Sequence, residues 1–165
     1  MSLVALDAAQ IRSLHATGGA VVDGLQIRWN ADDAHNLRHR VHALDLDGHS
    51  APYLVHVSLD GARVRARIGC HSAPHDTEVE IGYFVAPEER GRGVATAMVR
   101  EFLDWLQRRG VELVRASITP DNAASLALVS RLGFEHVGEL VDEDDGERLL
   151  SFVRHLSGLR PWSEE

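Results

Sequence analysis

The chain has 165 residues, of which 44% are hydrophobic and 25% charged, with a formal net charge of −8 at pH 7. That length sustains one core, burying about 70% of the unfolded chain's surface without staples, and the lone Cys70 excludes an internal disulfide framework and fits a reducing compartment. No apolar run approaches the roughly 18 residues that span a bilayer, no basic start precedes an apolar stretch at the N-terminus, and the acidic balance argues against broad nucleic-acid binding.

A single soluble, cytoplasmic domain over residues 1–165 is therefore expected, with neither a membrane nor a nucleic acid as partner. Residues 1–15 read as a short amphipathic segment and Ala20 to Trp29 as a strand. Ala31 to Leu44 reads as a helix, with Asn30 or Asp32 as its cap and Leu37, Val41 and Leu44 on one face. Tyr53 to Leu59 alternates as a strand, and Asp60-Gly61 is a strong hairpin signal. Val64 to Cys70 alternates again, with Val64, Ala66 and Ile68 on one face and Arg63, Arg65 and Arg67 on the other, most simply a solvated one.

Glu78 to Val85 is the next strand, ended by Pro87, which removes a ladder donor. Val94 to Arg109 is strongly amphipathic and buries Val94, Met98, Phe102, Trp105 and Leu106, with Gly110 as C-terminal cap. Val111 to Thr119 reads as a buried strand, and Pro120-Asp121-Asn122 opens a helix that Gly133 stops. Phe134 to Leu140 and Arg148 to Leu156 close the fold as two strands around the acidic turn Asp142, Glu143, Asp144, Asp145 and Glu147. Those acids suit surface solubility and are compatible with a cationic substrate such as an amine. The order predicts a mixed α/β sheet with helices on both faces.

The stretch Arg90-Gly91-Arg92-Gly93-Val94-Ala95 turns from strand into helix. Such a glycine-rich turn aims several backbone N–H groups, and the positive end of the helix dipole, at one spot suited to a phosphate or pyrophosphate. A P-loop is excluded, because no Gly-x-x-x-x-Gly-Lys-Ser/Thr occurs. The dinucleotide fingerprint also fails: Thr96 stands where its third glycine belongs, and the following strand ends in Ser117-Ile118-Thr119 without an acid for a ribose. A purely structural turn stays open.

The run from Glu80 to Met98, Glu-Ile-Gly-Tyr-Phe-Val-Ala-Pro-Glu-Glu-Arg-Gly-Arg-Gly-Val-Ala-Thr-Ala-Met, resembles the cofactor motif of the GNAT N-acetyltransferase superfamily, Arg/Gln-x-x-Gly-x-Gly/Ala, filled here by Arg90, Gly93 and Ala95. Asp121-Asn122-Ala123-Ala124-Ser125 followed by Arg131-Leu132-Gly133-Phe134 resembles that family's later helix and its terminal Gly-Phe. The resemblance runs from about residue 53 to 140, a core for acetyl-CoA, and leaves about 1–50 to shape the acceptor side. It implies a mostly antiparallel sheet in which two parallel strands, Glu78 to Val85 and Val111 to Thr119, splay apart around acetyl-CoA.

By the same resemblance the amides of Arg90, Gly91, Arg92, Gly93, Val94 and Ala95 cradle the pyrophosphate. The side chains of Arg90 and Arg92 either add charge-assisted bonds or stay exposed. The backbone at Phe84 and Val85 pairs with pantetheine, and the Val85 N–H faces the thioester carbonyl. Glu80 is the first candidate for the base that takes the amine's proton, with a pKa raised by partial burial; the alternative is an edge carboxylate satisfied by an arginine. His71 and His75 are the backups. The family's usual tyrosine acid is replaced by Val129. Asn122 and Ser125 resemble the pair in ribosomal-protein alanine acetyltransferases, where the serine approaches the sulfur and the asparagine binds cofactor; a plain helix cap and a small packing residue are the alternatives.

His35, His39 and His42 recur at helical spacing without an acidic or cysteine partner, so no metal is expected. Cys70 reads as a buried thiol, and the tail Arg160 to Glu165 as loosely ordered. Together these point to an acetyl-CoA-dependent N-acetyltransferase acting on a primary amine by direct attack. A protein N-terminal α-amine is the first candidate acceptor and a small amine or antibiotic the alternative. A non-catalytic acyl-CoA-binding sensor is the competing class, and a homodimer is compatible with the resemblance.

Overall fold

The structure, a computed structural model, describes residues 2–156. The tail from Arg160 to Glu165 lies outside the described residues. Strand β1 (Val4–Ala5) precedes helix α1 (Ala8–Thr17), whose start is fixed by a reciprocal cap between Asp7 and Gln10. The stretch expected as one strand is a hairpin, β2 (Gly19–Val22) and β3 (Leu25–Arg28). Its turn is Asp23-Gly24, both left-handed at φ 50° and 78°, the twist that closes a two-residue hairpin. Helix α2 covers Ala34–Leu46 after a 3-10 turn over Ala31–Asp33 that Asn30 caps.

A second departure follows. Ala51–Leu54 forms a short helix, α3, because Pro52 sits in its first turn, so β4 begins only at His56 and runs to Asp60. Strand β5 (Arg63–Cys70) follows the Gly61 turn, and β6 covers Glu78–Val85. Helix α4 (Val94–Arg108), strand β7 (Leu113–Ile118), helix α5 (Ala123–Arg131), and strands β8 (Glu135–Val141) and β9 (Arg148–His155) complete the chain.

The strands form one sheet in the order β1-β4-β5-β6-β7-β9-β8, with the β2–β3 hairpin attached to β5. All long pairings are antiparallel except β6 with β7. That parallel ladder covers only Glu78–Ile81 against Leu113–Ala116. Beyond Ile81 and Ala116 the two strands diverge, leaving Gly82–Val85 unpaired on the β7 side. This is the splayed fork that the resemblance implied.

Side chains alternate across each strand. On β5, Ala66, Ile68 and Cys70 join a core with Met98, Phe102 and Leu106 of α4 and Leu128 and Val129 of α5. A second core unites α1, α2, the β2–β3 hairpin and Val57 of β4. Arg67, pointing away from the α4 core, reaches Asp33 at the start of α2, so α2 covers the opposite face. Trp105, expected in the core, is only half-buried: it stacks on Phe102 at the rim and carries the Arg109 guanidinium 4.5 Å from its ring centroid.

The face expected to be solvated is so only at its start: Arg63 is exposed and Arg65 half-buried, whereas Arg67 is buried. Arg63 and Arg65 both pair with Glu89, and Arg67 is 6% exposed in a two-point pair with Asp33, itself 1% exposed, at 2.5 and 2.6 Å. The segment leading into α2 covers Arg67, and the turn at Pro87–Glu89 supplies the acid that partners the two outer arginines. No helix among the described residues is long and apolar enough to cross a membrane.

Candidate active site

The turn after β6 is built by conformation. Gly91 and Gly93 adopt φ 75° and 77°, and nothing lies within 4 Å of a Cβ at either position. Glycine is needed there for its backbone freedom, and the space above stays open. Gly93 caps α4 with no side-chain partner, and the first helical bond runs from Ala97 N–H to the Gly93 carbonyl at 3.1 Å. The first-turn N–H groups of Val94, Ala95 and Thr96 thus precede the helical ladder, in the arrangement that suits an anion. Arg90 donates from Nε to the Val85 carbonyl at 3.1 Å and lies over the Phe84 ring at 5.6 Å, so its side chain closes the turn. Arg92 is exposed.

The antiparallel ladder decides which way β6 presents its backbone. His71 N–H bonds the Glu80 carbonyl, and Ala86 N–H bonds the Arg65 carbonyl. Even-numbered residues of β6 therefore bond toward β5, and the N–H groups of Tyr83 and Val85 point toward β7, into the fork. Val85 thus offers a backbone donor where the ladder has ended.

On the α4 side of the fork, the Tyr83 hydroxyl lies 2.6 Å from the Ser125 hydroxyl. Burial pushes the Tyr83 pKa up, keeping the phenol protonated at neutral pH. Asn122 Oδ1 accepts the Ser125 N–H at 3.1 Å, so Asn122 is the cap of α5. Val129, in the position of the usual tyrosine, is a core residue at 2% exposure.

Glu80, Gly82 and Phe84 face the other side. Glu80 accepts from Ser117 Oγ at 2.7 Å and pairs with His71 Nδ1 at 2.8 Å. Its pKa is lowered to about 2, chiefly by the His71 hydrogen bond, opposed by burial and helped by Ser117 and Arg115. This differs from the expected raised value: the partners that hold the carboxylate in place also stabilise its charge. His71 turns Nε2 toward Gly82, 3.3 Å from where a Cβ would sit. His75 only bridges backbone to Glu78 and stays apart from this cluster.

Arg40 and Arg67 reach the same spot. Their Nη2 and Nη1 lie 3.4 and 3.8 Å from that Cβ position. The cross-strand neighbour of Gly82 is also glycine, Gly69, whose Cβ would strike the Leu54 carbonyl at 1.8 Å. Sheet and helix together make a bare floor under two guanidiniums and an imidazole. His35, His39 and His42 lie on the exposed face of α2, and no group of three metal-ligating side chains occurs among the described residues.

Residues 4–135 match the Acetyltransferase (GNAT) domain family. The chain belongs to the GNAT acetyltransferase family. Among curated GNAT relatives, the L-2,4-diaminobutyric acid acetyltransferase of Nocardia farcinica is 36% identical over 59 residues, 36% of this chain and 31% of that protein. The chain thus spans about a third of that relative's length. The ribosomal-protein-alanine N-acetyltransferase of Brucella melitensis superposes with a TM-score of 0.62 at 26% identity, covering 94% of this chain and 100% of that one. The microcin C7 self-immunity acetyltransferase, solved with acetyl-CoA and AMP, superposes with a TM-score of 0.60 at 16% identity over 76% of this chain and 71% of that one. The GNAT fold expected from the residue motifs is therefore that of the family.

The structure joins Arg90 to Val85 and Phe84, and Asn122 to Ser125, whereas Glu80 lies on the other side of β6 with His71 and Ser117. Sequence reasoning passed over Tyr83, although it lies inside the quoted motif, along with Ser117, Asp33, Arg40 and Arg67. Arg40 had a signal: it stands on the buried stripe of α2 between Leu37 and Leu44.

Proposed function

We propose that this GNAT domain moves an acetyl group from acetyl-CoA to a primary amine by direct attack, with no covalent enzyme intermediate. The observation that carries the proposal is the end of the β6–β7 ladder at Ile81 and Ala116, beside an unpaired Val85 N–H and upstream of the uncapped α4. Acetyl-CoA supplies an activated thioester. The N–H groups of Gly91 to Ala95 hold its diphosphate. The Val85 N–H donates a hydrogen bond to the developing oxyanion, a contact worth about 3–4 kcal/mol in comparable sites.

The base is the Glu80–His71 pair. Glu80, held anionic, fixes His71 with Nδ1–H toward it and leaves Nε2 free to accept the amine's proton, the chemistry to which an imidazole is suited near neutral pH. The new N–C bond forms as the C–S bond breaks, and the departing thiolate takes a proton from the Tyr83 hydroxyl, assisted by Ser125. Tyr83 thus supplies the acid that Val129 cannot.

The acceptor is a primary amine, either a protein N-terminus or a small molecule. The names of the similar proteins include both ribosomal-protein alanine and 2,4-diaminobutyric acid. Calorimetric titration with coenzyme A, followed by thiol release across N-terminal peptides and small amines, tests the proposal. Saturable binding and amine-dependent thiol release are expected. Absence of saturation at millimolar coenzyme A overturns it, and binding without release by any amine leaves an acyl-CoA-binding module instead.

A further inference from the structure

Arg40 is 5% exposed on the core side of α2, yet its guanidinium makes no hydrogen bond or ion pair with any other described residue. Asp33, the carboxylate that Arg40 senses most closely beside it, is occupied by Arg67 through Nε and Nη2 and by Asn36. Glu80 is occupied by His71 and Ser117. Two guanidiniums therefore share one buried carboxylate, and the Arg67 Nη1 is also unused.

A largely buried cation without a bonded anion is destabilised unless solvent or a ligand compensates it. Burial and the neighbouring Arg67 lower the Arg40 pKa to about 10, against the opposing pull of Cys70, Asp33 and Glu80. The free N–H groups of Arg40 and Arg67 converge over Gly82, the first residue of β6 beyond the ladder. Gly82 lies two residues from Glu80, about 7 Å along a strand. The side chains of His71 and Glu80, 48% and 35% exposed, open this floor to solvent.

We infer that the acceptor carries a carboxylate close to its reacting amine, as a free amino acid or amino-acid analogue does, and that Arg40 with Arg67 grips that carboxylate over Gly82. A planar carboxylate meets the fork of a guanidinium in two parallel bonds. The anion meets the N–H groups of Arg40 and Arg67 Nη1 that Asp33 and Glu80 leave unbonded, while the amine lies toward His71. The inference rests on the acetyltransfer reading and narrows its acceptor: a peptide N-terminus has no carboxylate at that distance.

The probes are the protein L-amino acids, each beside its own carboxamide. Thiol release and saturation-transfer NMR against the coenzyme A-loaded protein are both read. At least one acid is expected to exceed its amide at least tenfold in kcat/KM, mainly through KM, and to bind where the amide does not. In Arg40→Met, which keeps the aliphatic stem, that ratio falls to near one. Arg40→Gln serves if the methionine variant does not fold. Amides used as well as acids, peptides used in place of both, or a preference that survives both variants would overturn the inference and leave acetyltransfer standing. Acids bound over amides without turnover would do the reverse.

Discussion

The Tyr83 hydroxyl and the Ser125 hydroxyl stand 2.6 Å apart, tying β6 to the first turn of α5 beside the fork. Tyr83→Phe keeps the ring and removes the hydroxyl with its transferable proton. A fall in kcat of about 10²-fold or more, with coenzyme A affinity unchanged, is expected from general-acid contributions of this kind. Equal kcat values for the two proteins would remove Tyr83 from the chemistry.

Glu80 titrates in the folded chain well below its ordinary 4.5, at about 2. A carboxylate with a depressed folded pKa stabilises the fold above its unfolded pKa, and this is lost as pH falls through the folded value. The urea midpoint of the wild type should therefore exceed that of Glu80→Gln at neutral pH, and the gap should close between pH 4.5 and 2. A gap independent of pH would show that the His71 and Ser117 contacts do not depend on the charge. Activity should fall in the same variant, because His71 loses its anionic partner.

Gly93→Ala forces a side chain onto φ 77°. That costs about 1–2 kcal/mol, or a melting shift of a few degrees for a chain this long. Since no atom would touch the new methyl, the loss is one of conformation. Relaxation of the turn should also weaken coenzyme A binding, read by calorimetry. Undiminished affinity would mean that the diphosphate is held elsewhere.

Arg67→Met strips the bonded cation from Asp33, which is 1% exposed and keeps only Asn36 as a side-chain partner. Stranding a buried carboxylate costs about 3–5 kcal/mol, measurable by urea denaturation. The double variant Asp33→Leu/Arg67→Met should recover most of that stability while remaining inactive. A single variant as stable as wild type would show that the pair contributes little.

The strand–turn–helix from Glu78 to Arg108 was legible because each part signals itself locally: alternation in β6, a terminating proline, two glycines, and a long apolar stripe in α4. Other parts depend on distant partners. Asp23-Gly24 is the same dipeptide as Asp60-Gly61, but its flanking strands have four residues each, too few for alternation to separate them from one longer strand. The arginines of β5 alternate as a wet face would. Their acids lie at Glu89 and at Asp33, which is 34 positions away from Arg67, and no local pattern announces such a pairing. The site divides the same way: Glu80, the Gly91 to Ala95 turn and Ser125 could be named from motifs, whereas the Tyr83–Ser125 contact and the floor under Arg40 exist only once the sheet is assembled.

The unzipped stretch of β6 has a thermodynamic corollary. Main-chain donors and acceptors at Tyr83 and Val85 have no β7 counterpart, so the isolated protein is built one strand short. A pantetheine arm lying there would act as a removable rung, lending about 2.7 kcal/mol when present at a hundred times its dissociation constant. Purified, ligand-stripped samples should therefore melt earlier and exchange the amides of Tyr83 and Val85 faster than loaded ones, which makes resilience to heat a gauge of cofactor supply.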